Sequence, residues 1–172
     1  YLYGIGQGVL HPITQGEWEV TDFVGLRGDK VYYISTESSP LKRDLYRVGL
    51  DGKHKERLTP GDGYYSIYPS ADLSYYICEG GDSSAPGRTD VFNAAGKRVR
   101  TLYDNAPLKE ALVEAGLPVR EFFTFTTERG DELNGYMLKP LDFDPAKRYP
   151  VLLTQYSGPG SQTVQNLSLI HI

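Results

Sequence analysis

Hydrophobic and polar positions in the first hundred residues alternate in short runs separated by turn formers, which is typical of β-strands rather than helices. Each run is four to eight residues long, the ordinary length of a strand. Between residues 20 and 103 the runs lie at 20–26, 30–37, 44–50, 54–58, 65–69, 74–79, 90–93 and 98–103. The pattern therefore predicts eight consecutive antiparallel strands.

The eight predicted strands fall into two similar groups of four. Tyr32-Tyr33-Ile34 recurs 43 residues later as Tyr75-Tyr76-Ile77, and Gly52-Lys53 recurs 44 residues later as Gly96-Lys97. Four short strands in a period of about 40–45 residues are typical of a β-propeller blade. The sequence therefore predicts two blades, preceded at residues 1–14 by the end of another. A plain antiparallel sandwich is the alternative.

The strand pattern ends at Asp104, and a short helix is predicted over residues 105–116. Asp104 or Asn105 can cap this helix, Pro107 fits its first turn, and Gly116 fits the position just past its end. We therefore expect a change of architecture near residue 104.

Three more strands are predicted after the helix. Residues 121–127 and 133–139 form a hairpin through a turn at 129–131, and residues 151–156 are a compact apolar run of the kind found inside a sheet. The loop that follows, at residues 157–162, is rich in turn formers. Ligands and catalytic groups commonly gather where such a strand meets its loop, although an ordinary connecting turn is the alternative.

Composition narrows the classes of function. The net charge of −4 and the pI near 5.4 argue against nucleic-acid binding through a broad basic face. The lone Cys78 leaves no internal disulfide or cysteine-based zinc site, and His11, His54 and His171 are far apart in sequence, so we expect no metal and no cofactor. The chain lacks an initiating Met and starts in mid-pattern, so we interpret it as a piece of a longer protein.

A series of short motifs follows one another along the chain: GEWEV at 16–20, YR at 46–47, LTP at 58–60, DN at 104–105, FFTF at 122–125, LNGY at 133–136, KP at 139–140, FD at 143–144, YPV at 149–151 and QYSGPGSQ at 155–162. In this order they resemble the dipeptidyl peptidase IV group of the prolyl oligopeptidase family, particularly its bacterial members. The resemblance covers about residues 1–166.

The resemblance implies a mainly β fold class, in which the last blades of a β-propeller are followed by the N-terminal part of an α/β-hydrolase domain. Residues 1–104 would be the C-terminal part of the propeller and residues 105–166 the start of the hydrolase (peptidase) domain. Residues 167–172 form a tail that departs from the family, which we interpret as a truncation or a sequencing artefact.

The same resemblance implies an activity. Family members are serine peptidases that remove dipeptides from free N-termini and prefer Pro or Ala at the second position, so peptide substrates are the expected partners. Members are commonly dimers, which makes a homodimer of the intact parent an expectation. A periplasmic, membrane-anchored or secreted location is likewise implied by the resemblance alone.

One functional residue is carried over from the family: Tyr156. In the family the tyrosine of this loop points its hydroxyl at the oxyanion of the tetrahedral intermediate. A phenol O–H at the mouth of a dry pocket donates to charge that is present only in the transition state. The residues alone leave a buried core tyrosine, with its hydroxyl bonded to backbone, as the alternative.

Other chemistry-bearing residues are expected to be structural or solvated. Glu17 and Glu19 flank Trp18 on an expected blade edge, and Arg47 and Arg88 are expected to be surface groups rather than substrate ligands. His171 is not taken as the catalytic histidine, because it lies in the divergent tail. The nucleophile elbow Gly-x-Ser-x-Gly does not occur in the 172 residues, so we expect the chain by itself to be inactive.

Two other functions compete with the peptidase. A non-catalytic propeller-type binding module would not need the helix, hairpin and apolar run of residues 105–162. An acyl-peptide hydrolase or esterase relative often carries His-Gly-Gly-Pro at this loop and uses backbone donors there, whereas this chain has Tyr156.

Overall fold

The structure is a computed structural model that describes residues 1–156, 158 and 160–168. The chain divides into two compact units, one comprising Tyr1–Asn105 together with the residues from Asn166 onward, the other Ala106–Gln165. We call them the first and the second unit and describe each by itself.

The described residues of the first unit form three antiparallel sheets. Strands β1 (Leu2–Gly4) and β2 (Gly8–His11) pair with each other. The second sheet has the order β3 (Val20–Arg27), β4 (Lys30–Ser35), β5 (Asp44–Gly49) and β6 (Glu56–Arg57). The third has β7 (Tyr64–Pro69), β8 (Tyr75–Gly81), β9 (Arg88–Asn93) and β10 (Arg98–Tyr103), again as sequential neighbours. The predicted mainly β fold with four strands per repeat is confirmed.

One predicted strand is much shorter than expected. Residues 54–58 were expected to be extended, but β6 contains only Glu56 and Arg57. His54 has a backbone φ of 56°, in the left-handed region, which is incompatible with a strand.

The two four-stranded sheets are equivalent residue by residue at their centres. Tyr33 on β4 faces Tyr46 on β5, and their ring centroids are 5.6 Å apart. Tyr76 on β8 faces Phe92 on β9, with centroids 5.3 Å apart. Because β4 and β8 are each the second strand of their sheet, the repeat seen in the sequence is a repeat of structure.

The turns after β5 and β9 are also equivalent. The amide of Gly52 donates to the carbonyl of Gly49, and the amide of Gly96 donates to that of Asn93, at 2.8 and 2.9 Å. Gly52 and Gly96 have φ values of 75° and 78°. A positive φ is readily accessible only to glycine, which explains why this residue recurs.

The main core of the first unit lies between the two four-stranded sheets. Its fully buried members come from both: Tyr32, Leu45 and Leu58 on one side, and Tyr65, Leu73, Tyr76, Cys78 and Phe92 on the other. A second cluster, Val31, Tyr33, Tyr46 and Val48, covers the opposite face of β4 and β5. Successive side chains of a strand point to opposite faces, so β4 is buried on both.

The second unit contains a helix and a hairpin. Helix α1 (Ala106–Ala115) is followed by Gly116 at φ 62°, at the predicted position after the helix. Strands β11 (Arg120–Thr126) and β12 (Glu132–Leu138) pair in full register, each one residue earlier than predicted. The predicted turn between them forms, with Gly130 at φ 90°.

The predicted strand at residues 151–156 does not form. The side chains of Val151, Leu152 and Leu153 are 87, 89 and 84% exposed, and no strand of the described residues pairs with this segment. An apolar run becomes a buried strand only when neighbours satisfy its backbone and cover its faces, and here β11 and β12 pair with each other. The hydrolase assignment of this unit therefore remains a prediction.

Candidate functional site

Tyr156 stands at the end of the exposed apolar segment and is itself 69% exposed. One edge of its ring lies beside Gly158: a Cβ atom built on that glycine would be 3.5 Å from Cε1 and 3.7 Å from the hydroxyl of Tyr156. A side chain longer than alanine at position 158 would therefore compete with the phenol for space. In this structure Tyr156 is not a core residue.

A turn follows directly after this glycine. The amide of Ser161 donates to the carbonyl of Gly158 at 3.0 Å, and Gly160 has a φ of 72°. A residue with a Cβ is strained at that φ, so the glycine fits the turn. The predicted turn-rich loop is present, except that Ser157 and Pro159 lie outside the described residues.

Two glutamine side chains hydrogen-bond to the backbone of the segment after the turn. The Nε2 of Gln162 donates to the carbonyl of Val164, and the Nε2 of Gln165 donates to the carbonyl of Gln162, both at 2.7 Å. We call Gln162 and Gln165 the glutamine lock. Both side chains are thus hydrogen-bonded to backbone carbonyls within residues 162–165.

Arg120, the first residue of β11, contacts the glutamine lock. Its Nη1 donates to the carbonyl of Gln165 at 3.3 Å, and its guanidinium carbon lies 4.6 Å from the ring centroid of Tyr136 on β12. Sequence reasoning did not single out Arg120, because neither its neighbours in sequence nor its charge indicates a partner 45 residues away.

The other residues considered in the sequence are distributed over the first unit. Glu17 and Glu19 are exposed, in agreement with a solvated role, whereas Trp18 between them is partly buried against Tyr33. His171 lies outside the described residues. The structure does not bring Glu17 or Glu19 into any cluster with metal-binding potential, and among the described residues no group of three such ligands exists.

Arg47 is not the surface group that was expected. Its side chain is only 19% exposed and its Nη1 donates at 2.9 Å to the carbonyl of Ala94, in the neighbouring four-stranded sheet. The hydroxyl of Tyr32 donates to the same carbonyl at 3.0 Å, and Nη2 of Arg47 pairs with Glu56. A buried carbonyl such as that of Ala94 needs hydrogen-bond donors, and Arg47 supplies one from the neighbouring sheet. Arg47 thus links the two sheets.

Arg88 is half exposed, but it too has a structural partner. It lies 3.3 Å from the carboxylate of Asp90, which also accepts a hydrogen bond from the hydroxyl of Thr101 at 2.6 Å. In the preceding sheet the carboxylate of Asp44 accepts from Thr59 at 2.5 Å.

Asp44 and Asp90 are buried, and sequence reasoning missed both. The triplets Asp-Leu-Tyr at 44–46 and Asp-Val-Phe at 90–92 carried the signal, at an offset of 46 rather than 43. In both sheets a buried carboxylate is satisfied by a threonine from the fourth strand or just beyond it, so these residues stabilise the repeat rather than form a separate site.

No helix in the described part of the chain is both long and apolar enough to cross a bilayer.

Comparison with known proteins agrees with the resemblance of the sequence motifs. The chain is 36% identical over 171 residues to a probable dipeptidyl peptidase 4 of Emericella nidulans, covering 95% of this chain and 22% of that protein. It is 40% identical over 159 residues to dipeptidyl-aminopeptidase B of Aspergillus niger, covering 88% of this chain and 18% of that protein. The chain thus spans about a fifth of the length of these curated relatives.

A solved structure supports the same relationship. The crystal structure of Porphyromonas gingivalis dipeptidyl peptidase 4 matches 95% of this chain and 24% of its own, with a TM-score of 0.86 and 37% identity. Residues 1–86, half of the chain, match the family described as the dipeptidyl peptidase IV (DPP IV) N-terminal region. The chain therefore belongs to the dipeptidyl peptidase IV family.

Proposed function

We propose that this chain is part of a serine-type dipeptidyl aminopeptidase that releases X-Pro and X-Ala dipeptides from the free N-termini of peptides. Residues 1–104 are the C-terminal part of its β-propeller and residues 105–166 the start of its α/β-hydrolase domain. The observation that carries the proposal is the YSGPGSQ loop with Tyr156 at its start, in a chain that also contains the two repeated sheets.

The role of Tyr156 follows from the chemistry of acyl transfer. When a serine oxygen attacks the scissile carbonyl carbon, the carbonyl oxygen becomes an oxyanion and needs hydrogen-bond donors. A phenol hydroxyl is such a donor, and Tyr156 supplies one at the start of this loop.

The remaining catalytic groups belong to other parts of the parent protein under this proposal. The 172 residues contain no Gly-x-Ser-x-Gly motif, so the chain alone is inactive and contributes one oxyanion donor. Peptides are the partners of the parent, which functions as a homodimer in the periplasm, at a membrane or outside the cell, as in its family. The chain binds no cofactor and no metal under this proposal.

The experiment compares the intact parent protein with the 172-residue chain. Both are assayed with Gly-Pro-p-nitroanilide, with an N-acetylated version of the same substrate and with p-nitrophenyl acetate, before and after treatment with diisopropyl fluorophosphate. We expect the parent alone to cleave the free-amine substrate and to lose this activity after treatment.

Each competing function has its own outcome. Preference for the acetylated substrate or the ester would favour an acyl-peptide hydrolase or esterase. A parent that cleaves none of the three would favour a binding module. Turnover by the 172-residue chain would refute its proposed inactivity.

A further inference from the structure

We propose that Arg120 is a positioning residue for Tyr156: it holds the segment that follows the Tyr156 turn against the β11–β12 hairpin. The proposal rests on the oxyanion role of Tyr156 given above, and it assigns to that role a residue outside the loop. Arg120 touches neither substrate nor reacting atoms in this scheme, because it acts through the loop.

The guanidinium of Arg120 is held on one side by the hairpin. Its carbon lies 4.6 Å from the ring centroid of Tyr136, a cation–π distance, and β11 and β12 are paired along their whole length. A stacked guanidinium is planar and preorganised, so it presents its N–H groups in a defined direction. Here Nη1 points at the carbonyl of Gln165.

Contacts continue from Gln165 back to the tyrosine. Gln165 donates to the carbonyl of Gln162, and the neighbouring Ser161 amide donates to the carbonyl of Gly158, at 2.7 and 3.0 Å. Gly158 in turn lies beside the edge of the Tyr156 ring, whose Cε1 would be 3.5 Å from a Cβ built on that glycine. Every step from Arg120 to Gly158 is thus a hydrogen bond or a chain neighbour, and the ring edge of Tyr156 lies beside that glycine.

The segment is held at several points, since the adjacent Asn166 also hydrogen-bonds to Leu41, Asp62 and Ser83. Tyr156 is 69% exposed, and no described residue of the second unit is buried. An oxyanion donor must be held within a fraction of an ångström of its working position, and misplacement by about 1 Å can reduce a rate about 10²-fold. Among these contacts, Arg120 is the one that ties the segment to the paired hairpin.

A double-mutant cycle in the intact parent enzyme tests the coupling. Arg120→Met keeps the stem of the side chain and removes its donors and charge; it is measured alone and together with Tyr156→Phe. We expect Arg120→Met to lower kcat about tenfold with little change in KM, and to have less than about a twofold effect when it is combined with Tyr156→Phe. Arg120→Lys, which keeps the cation over Tyr136, should recover part of kcat.

Arg129 supplies the matched control. It is an exposed arginine at the far end of the same hairpin, and Arg129→Met should leave kcat, KM and Tm unchanged. An equal loss of kcat from Arg120→Met in the wild-type and the Tyr156→Phe backgrounds would overturn the positioning role, because the two residues would then act independently. An Arg120→Met variant with unchanged kcat in the wild-type background would also overturn the positioning role.

A second readout does not need activity. Hydrogen exchange of the Ser161 amide, which is bonded to Gly158, should be faster in the Arg120→Met parent and unchanged in Arg129→Met. If the parent is inactive, the proposed function fails, while this exchange measurement still supports or overturns the restraint by Arg120. If Arg120→Met does not fold, Arg120→Lys enters the same cycle and the same exchange experiment.

Discussion

The two units of this chain differ in how completely they bury their own side chains. All of the fully buried residues that the structure describes belong to the first unit, among them Tyr33, Leu45 and Val48 at 2% exposure or less. The described residues of the second unit include none, and Val151, Leu152 and Leu153 are almost fully exposed. The first unit therefore has a core of its own, and the second has apolar surface without one.

The difference follows from the number of sheets in each unit. Two four-stranded sheets give each other a face to pack on, so β4 and β5 are covered on both sides. A single two-stranded hairpin has no partner sheet and is at best marginally stable alone. The 172-residue chain should consequently be well ordered in its first unit, and prone to associate through the apolar surface of its second.

The largest expected effect is on stability. Leu45→Ala, in the core between the sheets, should reduce the free energy of unfolding of the first unit by about 2–5 kcal/mol. Leu133→Ala, the same change on the half-exposed β12, should alter stability by no more than about 0.5 kcal/mol. Unfolding in urea, monitored by hydrogen exchange, measures the stability of each unit separately. Similar losses for both leucines would contradict the contrast between the units.

The repeat of the first unit shows what the sequence can predict. The Tyr-Tyr-Ile pairs and the Gly-Lys turns are local features, so their recurrence was visible without a structure. Asp44 and Asp90 were missed because loop lengths differ between the sheets: the offset is 43 at β4 and β8 but 46 at β5 and β9. A fixed period cannot align residues on both sides of such a change.

Errors of prediction arose where a residue's state depends on distant partners. Arg47 looks like a surface cation in sequence, and only the fold shows the carbonyl of Ala94 beside it. The apolar run at 151–156 has strand composition, but strand formation needs neighbours that its own residues do not specify. Arg120 was missed for the same reason, since its contacts with Tyr136 and Gln165 are not local. The oxyanion role of Tyr156, taken from the resemblance, stays a prediction.

The second prediction separates activity from stability in the exposed unit. In the intact parent, Tyr156→Phe should reduce kcat by about 10²–10³, or roughly 2.7–4 kcal/mol, the scale of one oxyanion donor. KM should change much less, because the lost interaction is made only in the transition state. Tm should change little, since the substitution keeps the ring and removes only its hydroxyl. Wild-type kcat in this variant would rule out the oxyanion role.

The third prediction concerns alkaline pH and the first unit. Burial raises the pKa of Tyr65 to about 12, with the charges of Cys78 and Asp44 adding to the shift, and burial also raises the pKa of the Cys78 thiol to about 12. A folded pKa above the unfolded one means that stability is fully present below the unfolded pKa and is lost as pH rises through the folded pKa. For Tyr65 this window runs from about pH 10 to 12.

Circular dichroism and the ultraviolet absorbance of tyrosinate, measured between about pH 10 and 12, check the prediction, since the absorbance reports tyrosine ionisation. We expect the β signal of the first unit to be lost between about pH 10 and 12, less steeply in Tyr65→Phe, because one linked proton is removed. Tyr103→Phe, at a 70% exposed position, is the control and should leave the steepness unchanged. A β signal that persists undiminished above about pH 12 would show that these groups do not control the unfolding.

The smallest expected effect is that of replacing a glycine with a positive φ by alanine, and each unit contains such a glycine in a turn. Gly96 ends a blade turn at φ 78°, and Gly130 lies in the hairpin turn at φ 90°. Alanine at either position is strained by about 1 kcal/mol in the left-handed region. At Gly96 the new Cβ would also lie 3.0 Å from Cδ2 of the buried Leu58, whereas nothing lies within 4 Å at Gly130.

The two alanine substitutions should therefore differ in how much of the chain they destabilise, as well as in the free energy that is lost. Gly96→Ala should lower the Tm of the whole first unit, because its turn is joined to a cooperative core through Leu58. Gly130→Ala should speed hydrogen exchange only in β11 and β12, since local opening of an exposed hairpin does not involve that core. Asparagine tolerates a positive φ better than alanine, so Gly130→Asn should recover most of the loss. If Gly130→Ala lowered the Tm of the first unit as well, the two units would unfold as one, and the contrast drawn from burial would not extend to stability.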